Sequence, residues 1–308
     1  MPLQNTMKNF FFLPICILCS NLLSAQIPAN IQSLLPKGTA TYPDLPYASD
    51  TLVKHTLDIY VPKGAKNAPL VVWIHGGGWR QGDKFGDMEN MKTTFNAILA
   101  NGYAVASVNY RFSTTAIFPA QIQDCNQALD YLYKNAQKYH LDRDNMAVIG
   151  FSAGGYLAAL IGTTNNNTVK AFYHDAQKPA YEIKAVVDFY GPSDFIARIG
   201  SMSIDEGIQP STSTALLGAQ PLLRPDLAKT ASVTTYIDKG DPPFLIFHGD
   251  KDQTVPITLS KLLDSYLKLA QVPSDFTVVK DAPHGGELFN SEAIKNKVLL
   301  FLETHLKK

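Results

Sequence analysis

The chain predicts an α/β fold: a mostly parallel central sheet with helices on both faces. Three observations carry that expectation. Short apolar runs of strand type alternate with longer stretches of helical spacing. Several of these runs empty directly into glycines or polar residues that can carry chemistry. The apolar fraction, 45% of 308 residues, is ample for one buried core. Formal charge is balanced, with 27 basic and 27 acidic residues, and no basic run could track a phosphate backbone, so a nucleic-acid partner is not expected.

The N-terminus reads as a processing segment. Lys8 precedes an apolar run from Phe10 to Cys19, and Leu22-Leu23-Ser24-Ala25 offers a small residue before Gln26. Residues 1–25 are therefore expected to be a secretory signal peptide, with Met1 or Met7 as the start. The run is too short and too polar-flanked for a membrane span. Cleavage would leave 26–308 as a single domain, secreted or periplasmic, with Cys125 as its one cysteine and no internal disulfide. Ile122, Cys125, Leu129 and Leu132 share helical spacing, which makes Cys125 a buried apolar residue.

Ile27 to Asp50 shows no sustained period and reads as an irregular arm. Leu52–Val61 alternates as an antiparallel edge strand or hairpin, ended by Pro62-Lys63-Gly64. The core pattern then runs through strands at Leu70–Ile74 and Tyr103–Asn109, a helix from Pro119 to Tyr139, a strand at Met146–Ile149 and a helix from Ala153. Strands at Ile183–Phe189, Pro243–Phe247 and Asp275–Lys280 follow, with helices at Ile257–Ala270 and Ser291–His305. Phe195 to Asp241 is the least regular stretch of the mature chain and is expected to be an insertion over the pocket, a lid or substrate-binding segment.

The most informative motif is Gly150-Phe151-Ser152-Ala153-Gly154-Gly155, a GxSxG at a strand-to-helix junction. Small residues two positions either side of Ser152 allow a sharp turn that would raise its hydroxyl above the sheet edge as a nucleophile. A helix N-cap role would explain the serine but not the flanking glycines. Upstream, the strand at Leu70–Ile74 empties into His75-Gly76-Gly77-Gly78-Trp79. Glycines leave backbone N–H groups uncovered, and fixed donors stabilise the oxyanion of acyl transfer; the candidates are Gly77, Gly78 and Ala153. Downstream, His248-Gly249-Asp250-Lys251-Asp252 supplies an acid after a strand, and Asp281-Ala282-Pro283-His284 supplies a histidine on a loop. The residues alone leave Asp250 and Asp252 open as the acid. His75 and His248 each precede glycine at a strand end and read as hydrogen-bonders that hold loops.

With Asp252 as the acid the order is Ser152, Asp252, His284, and the chain resembles an α/β-hydrolase serine esterase with an HGGGW oxyanion loop. Ser107-Val108-Asn109-Tyr110-Arg111, Phe118-Pro119-Ala120-Gln121, Tyr190-Gly191-Pro192-Ser193-Asp194 and the HGxxDxxVP string from His248 to Pro256 are similar to a bacterial subgroup. That subgroup resembles the feruloyl and acetylxylan esterases, and also the hormone-sensitive-lipase-like carboxylesterases. The resemblance implies an α/β-hydrolase fold, Asp252 as the acid, and hydrolysis of short acyl or feruloyl and acetyl esters of plant polysaccharides or small alcohols. It departs at Ala231-Ser232-Val233-Thr234, where the subgroup usually shows Ser-Pro. Trp79 and Tyr156 are placed to meet an acyl group. No metal or cofactor is expected, because neither HExxH, paired cysteines nor a phosphate-binding glycine string is present.

Two rival readings remain at this point. A prolyl-oligopeptidase-like peptidase shares the triad order but not HGGGW, and no propeller of repeated strands precedes the hydrolase pattern. A non-catalytic secreted binding module could retain the fold without turnover.

Overall fold

The computed structural model describes residues 27–167, 169–177, 180–200 and 211–306. The expected signal peptide lies outside the described residues, as does 201–210 of the expected insertion. Eight strands form one sheet: β1 Ala40–Pro46, β2 Thr56–Val61, β3 Ala68–Ile74, β4 Ala104–Val108, β5 Leu141–Phe151, β6 Ile183–Phe189, β7 Phe244–Gly249 and β8 Ser274–Val279. Their order across the sheet is β1-β2-β4-β3-β5-β6-β7-β8. The pairings from β4 to β8 are parallel, while β1, β2 and β4 pair antiparallel.

Both faces of this sheet are covered, which is why its central strands read as continuous apolar runs rather than as alternation. Along β3 the side chains divide between two cores: Leu70, Val72 and Ile74 face one, Val71 and Trp73 the other. The first face packs on α3 Ala120–Lys134, α4 Ala153–Thr164 and α8 Ile257–Leu269 through Ile122, Leu129, Leu157, Leu160, Leu263 and Leu267. The second packs on α1 Ala29–Leu34, α2 Lys92–Ala100 and α9 Glu292–His305 through Ile31, Phe95, Ile98, Val298 and Leu302. No helix among the described residues is long and apolar enough to cross a membrane.

The sheet places its chemistry by topology. The connection from β3 to β4 runs one way along the sheet and that from β4 to β5 the other, so β3 and β5 flank a switch point where their C-terminal ends open a crevice. Gly76–Gly78 follow β3 there and Ser152 follows β5.

Two expectations need correction. The arm at 27–50 is not irregular: it holds α1 and the edge strand β1, so Leu52–Val61 supplies the second strand rather than the edge. The signal was obscured because Pro43 and Pro46 sit inside β1, which only an edge strand tolerates, and because a bulge between Tyr42 and Leu45 breaks the alternation. Lys84 ties this edge down by bridging Asp44 of the bulge to Asp58 on β2. The second omission is α2, whose spacing of Met91, Phe95, Ile98 and Leu99 is helical and buried. The remaining elements fall where their periodicities put them, with β5 extended toward its start.

The tightest junction in the fold is between β5 and α4. A Cβ built on Gly150 would lie 2.0 Å from the Gly154 carbonyl oxygen, and one on Gly154 would lie 2.0 Å from that of Ile74. Both obstacles are backbone and cannot rotate away. Gly150→Ala should therefore lower the unfolding free energy by about 3 kcal/mol or more, at the upper end of overpacking costs. A urea melt with an unchanged midpoint would contradict the close approach.

Candidate active site

Ser152 stands between β5 and α4 with φ 52° and ψ −115°, a left-handed conformation that serine rarely adopts. Its amide donates to the Phe189 carbonyl at 2.8 Å, which pins the turn to β6. Such strain costs on the order of 1–3 kcal/mol and persists only where the surroundings impose it. Among the described residues nine non-glycines have positive φ, and four of them, Trp79, Asp87, Ser152 and Tyr190, line one cavity of about 380 Å3. Backbone strain is thus concentrated where the serine opens to solvent.

His284 reaches the serine from the loop after β8. Its Nε2 lies 2.8 Å from Ser152 Oγ and its Nδ1 2.7 Å from Asp252 Oδ2. A carboxylate can only accept, so Nδ1 carries the proton and Nε2 is left to accept the serine O–H. Asp252 is buried, and its Oδ1 accepts the Thr254 and Val255 N–H groups at 2.8 and 2.9 Å. Burial alone would raise the Asp252 carboxyl; hydrogen bonds from His248, His284 and the Val255 N–H outweigh it and hold the group well below the usual carboxylate range. Asp250 serves differently, accepting the Asp281 N–H at 2.6 Å and so fastening the acid loop to the histidine loop.

His248 does more than brace a loop. Its Nε2 lies 3.1 Å from Asp252 Oδ2 and 2.9 Å from the Val255 carbonyl, so it donates there, while Nδ1 accepts the Ser260 hydroxyl at 2.7 Å. Asp252 therefore meets two imidazoles, one facing the cavity and one in the core. His75 has the bracing role expected of it: Nδ1 donates to the Gly76 carbonyl at 2.7 Å, and burial lowers its pKa to about 4, which keeps the ring neutral.

Gly77 and Gly78 have φ of 107° and 59°, and the Gly77 carbonyl is turned back to accept the Arg80 and Gln81 N–H groups at 3.1 and 3.2 Å. With Ala153 they line the cavity beside Ser152, and among the described residues no acceptor takes the Gly77 or Gly78 N–H. Trp79 contributes to the wall but is only 2% exposed, edge-on to Tyr156 and tilted against Phe195. Tyr156 does not meet the cavity as expected: it lies in the core behind Trp79, and its hydroxyl donates to the Ala231 carbonyl at 2.9 Å. On a helix one turn past Ser152, its side chain follows the inward face of α4 and packs against the insertion.

Three cavity residues escaped the sequence. Asp87, at a positive φ, accepts the Gly76 N–H at 2.8 Å through Oδ2; burial raises its carboxyl, opposed by that N–H and by the charge of His284. Arg198, on α5 Phe195–Gly200, donates to the Thr254 carbonyl at 3.0 Å. Thr212 opens α6 Thr212–Leu217, which precedes α7 Pro225–Ala231, and faces Gly78. The last two come from the irregular 195–241 stretch, where no periodicity marks a residue as inward. Among the described residues no three His, Cys, Asp or Glu side chains gather as a metal-binding group.

Strand order, helices on both faces and the strand-end crevice define an α/β-hydrolase. The chain belongs to the BD-FAE family, whose model matches residues 57–267. A solved structure described as a truncated form of a carbohydrate esterase from gut microbiota superimposes with a TM-score of 0.76 at 30% identity, covering 88% of this chain and 99% of that one. A bifunctional GH43-CE protein of Bacteroides eggerthii gives 0.76 at 31% identity, over 86% of this chain and 35% of that one. Esterase LipQ of Mycobacterium tuberculosis is 25% identical over 273 residues, 82% of this chain and 62% of LipQ. The chain spans 62% and 51% of the first two curated relatives, LipQ and the probable carboxylic ester hydrolase LipM of the same organism.

Beneath the serine turn lies a second carboxyl with no role in the cavity. Asp188 on β6 is fully buried; burial raises it to about 6, opposed by the Gly191 N–H at 2.9 Å and by His248. An unfolded aspartate titrates near about 3.9, so between these values the folded chain holds more protons and stability falls as pH rises. Asp188→Asn removes that loss. Its unfolding free energy, compared with wild type, should gain by up to about 3 kcal/mol from about pH 4 to about pH 7. Paired melts at the two pH values read this directly, and a pH-independent difference would contradict it.

Proposed function

We propose that the protein is a secreted carboxylic-ester hydrolase that works through an acyl-enzyme, and that its substrates are acyl esters of carbohydrates, acetyl or feruloyl groups among them. The observation that carries this reading is the hydrogen-bonded chain from Ser152 through His284 to Asp252, opening on a cavity lined by unclaimed N–H groups. Membership of the BD-FAE family and the similarity to a carbohydrate esterase at 30% identity support the substrate class. The N-terminal apolar run supports export.

In this mechanism Ser152 Oγ attacks the ester carbonyl as His284 Nε2 takes its proton. Asp252 holds the imidazole in the tautomer that leaves Nε2 free and stabilises the imidazolium that forms. The tetrahedral oxyanion is received by N–H groups of Gly77, Gly78 and Ala153, which are fixed before the reaction and need not reorganise. His284 then protonates the departing alcohol, and water repeats the sequence on the acyl-enzyme. The 195–241 segment, through Arg198 and Thr212, shapes what the cavity accepts.

Initial rates on acetyl, butyryl and feruloyl esters and on acetylated xylan test the reading. Ser152→Ala should lower kcat by at least ~10^4-fold, because removing a nucleophile from a coupled triad leaves only binding and oxyanion stabilisation. Asp252→Asn should cost on the order of 10^4-fold, since an amide N–H aimed at Nδ1 forces the wrong tautomer. Cleavage of a proline anilide in place of the esters would favour a peptidase. Binding of a glycan without Ser152-dependent turnover of any ester would favour a binding module.

A further inference from the structure

The mechanism above leaves a half-buried carboxylate that lines the same cavity unexplained. Asp87 Oδ2 accepts the Gly76 N–H, and among the described residues no donor meets Oδ1, although the side chain lines the cavity. A Cβ built on Gly76 would sit 3.4 Å from Asp87 Oδ2 and 3.5 Å from Ser152 Cβ, so a single methyl group would bridge the carboxylate and the serine. The charge of His284 is felt at Asp87 as well. Asp87 and Asn90 line the same cavity as Gly78, which faces Thr212, and Arg198, which donates to the Thr254 carbonyl.

Position decides what such a group can read. His284 must deliver a proton to the leaving oxygen, so the alcohol half of an ester has to lie beside its imidazole, in the cavity that Asp87 also lines. A carboxylate there can only accept a hydrogen bond or repel an anion. A simple alkyl or aryl alcohol would cover Oδ1 without supplying a donor and leave a desolvated carboxylate unmatched. An alcohol with a hydroxyl on the adjacent carbon supplies that donor. Asp87 shares a positive φ, 63°, with Ser152 and Tyr190 of the same cavity.

We propose that Asp87 is a specificity residue: its Oδ1 accepts the hydroxyl neighbouring the esterified oxygen, so that the site selects esters of vicinal diols, as on a sugar ring, over esters of lone alcohols. This rests on the ester-hydrolase reading. The residue touches substrate without exchanging a proton, so its effect is on selectivity and on every step that holds the alcohol in place.

A substrate-by-variant cycle tests it. The substrates are a mono-acetylated methyl pentoside and its analogue with the neighbouring hydroxyl replaced by hydrogen. In wild type the deoxy analogue should lose about tenfold or more in kcat/KM, as expected when a charged acceptor loses its donor. In Asp87→Ala the same change of substrate should cost no more than about twofold. Asp87→Asn keeps an acceptor for the Gly76 N–H and should fold even if the alanine variant does not, with an intermediate penalty. A merely structural role would slow both substrates together and leave the penalty intact, which would overturn the proposal while the esterase stands. Absence of Ser152-dependent turnover on every ester would overturn both.

Discussion

Backbone meets backbone at the start of α4, and the rest of the site depends on that contact. With Gly154 against the Ile74 carbonyl and Gly150 against the Gly154 carbonyl, the helix begins pressed on the strand ends, and Ser152, the one residue between β5 and α4, takes a left-handed conformation. The strain forces Ser152 to project from the strand end instead of lying along it. Because the Ile74 carbonyl belongs to the strand that leads into Gly76–Gly78, the same contact sets the distance between the serine and the candidate oxyanion donors. A helix that sat farther from the sheet would loosen both at once.

Charge is arranged around that scaffold with similar economy. Asp252 is the most strongly stabilised carboxylate of the cavity group, and it is so because four donors converge on a buried group: two imidazoles and two N–H groups of its own loop. His248 is anchored by Ser260 and the Val255 carbonyl, and it orients the acid from the side away from His284's cavity face. Asp188 and Asp87, each with fewer donors, are pushed the other way by burial. Three aspartates near one turn thus differ in proton affinity through hydrogen-bond count, not through depth alone.

The sequence was readable where local chemistry and periodicity agree. Ser152 stands out because its neighbours must be small, His284 because it follows a strand-like run, and the parallel core because buried strands are apolar throughout; the strand before the acid pointed to Asp250 or Asp252, and the family resemblance separated them. The edge strand β1 was hidden by two prolines and a bulge, features an edge permits and a central strand does not. Tyr156 looked like a substrate contact because it is near Ser152 in sequence, yet one helical turn carries it into the core. Asp87 and Arg198 could not be found this way. Each becomes a wall residue only when distant segments fold over the strand ends, and neither sits in a periodic pattern that assigns it a face.

Activation of Ser152 above every other hydroxyl is what this arrangement requires of the protein in solution. Treating the protein with an alkyl fluorophosphonate and mapping the adduct by peptide mass spectrometry tests this without choosing a substrate. A single stoichiometric adduct on Ser152 is expected, formed far more slowly when His284 is replaced by alanine. An unmodified protein, or an adduct placed on another hydroxyl, would contradict it.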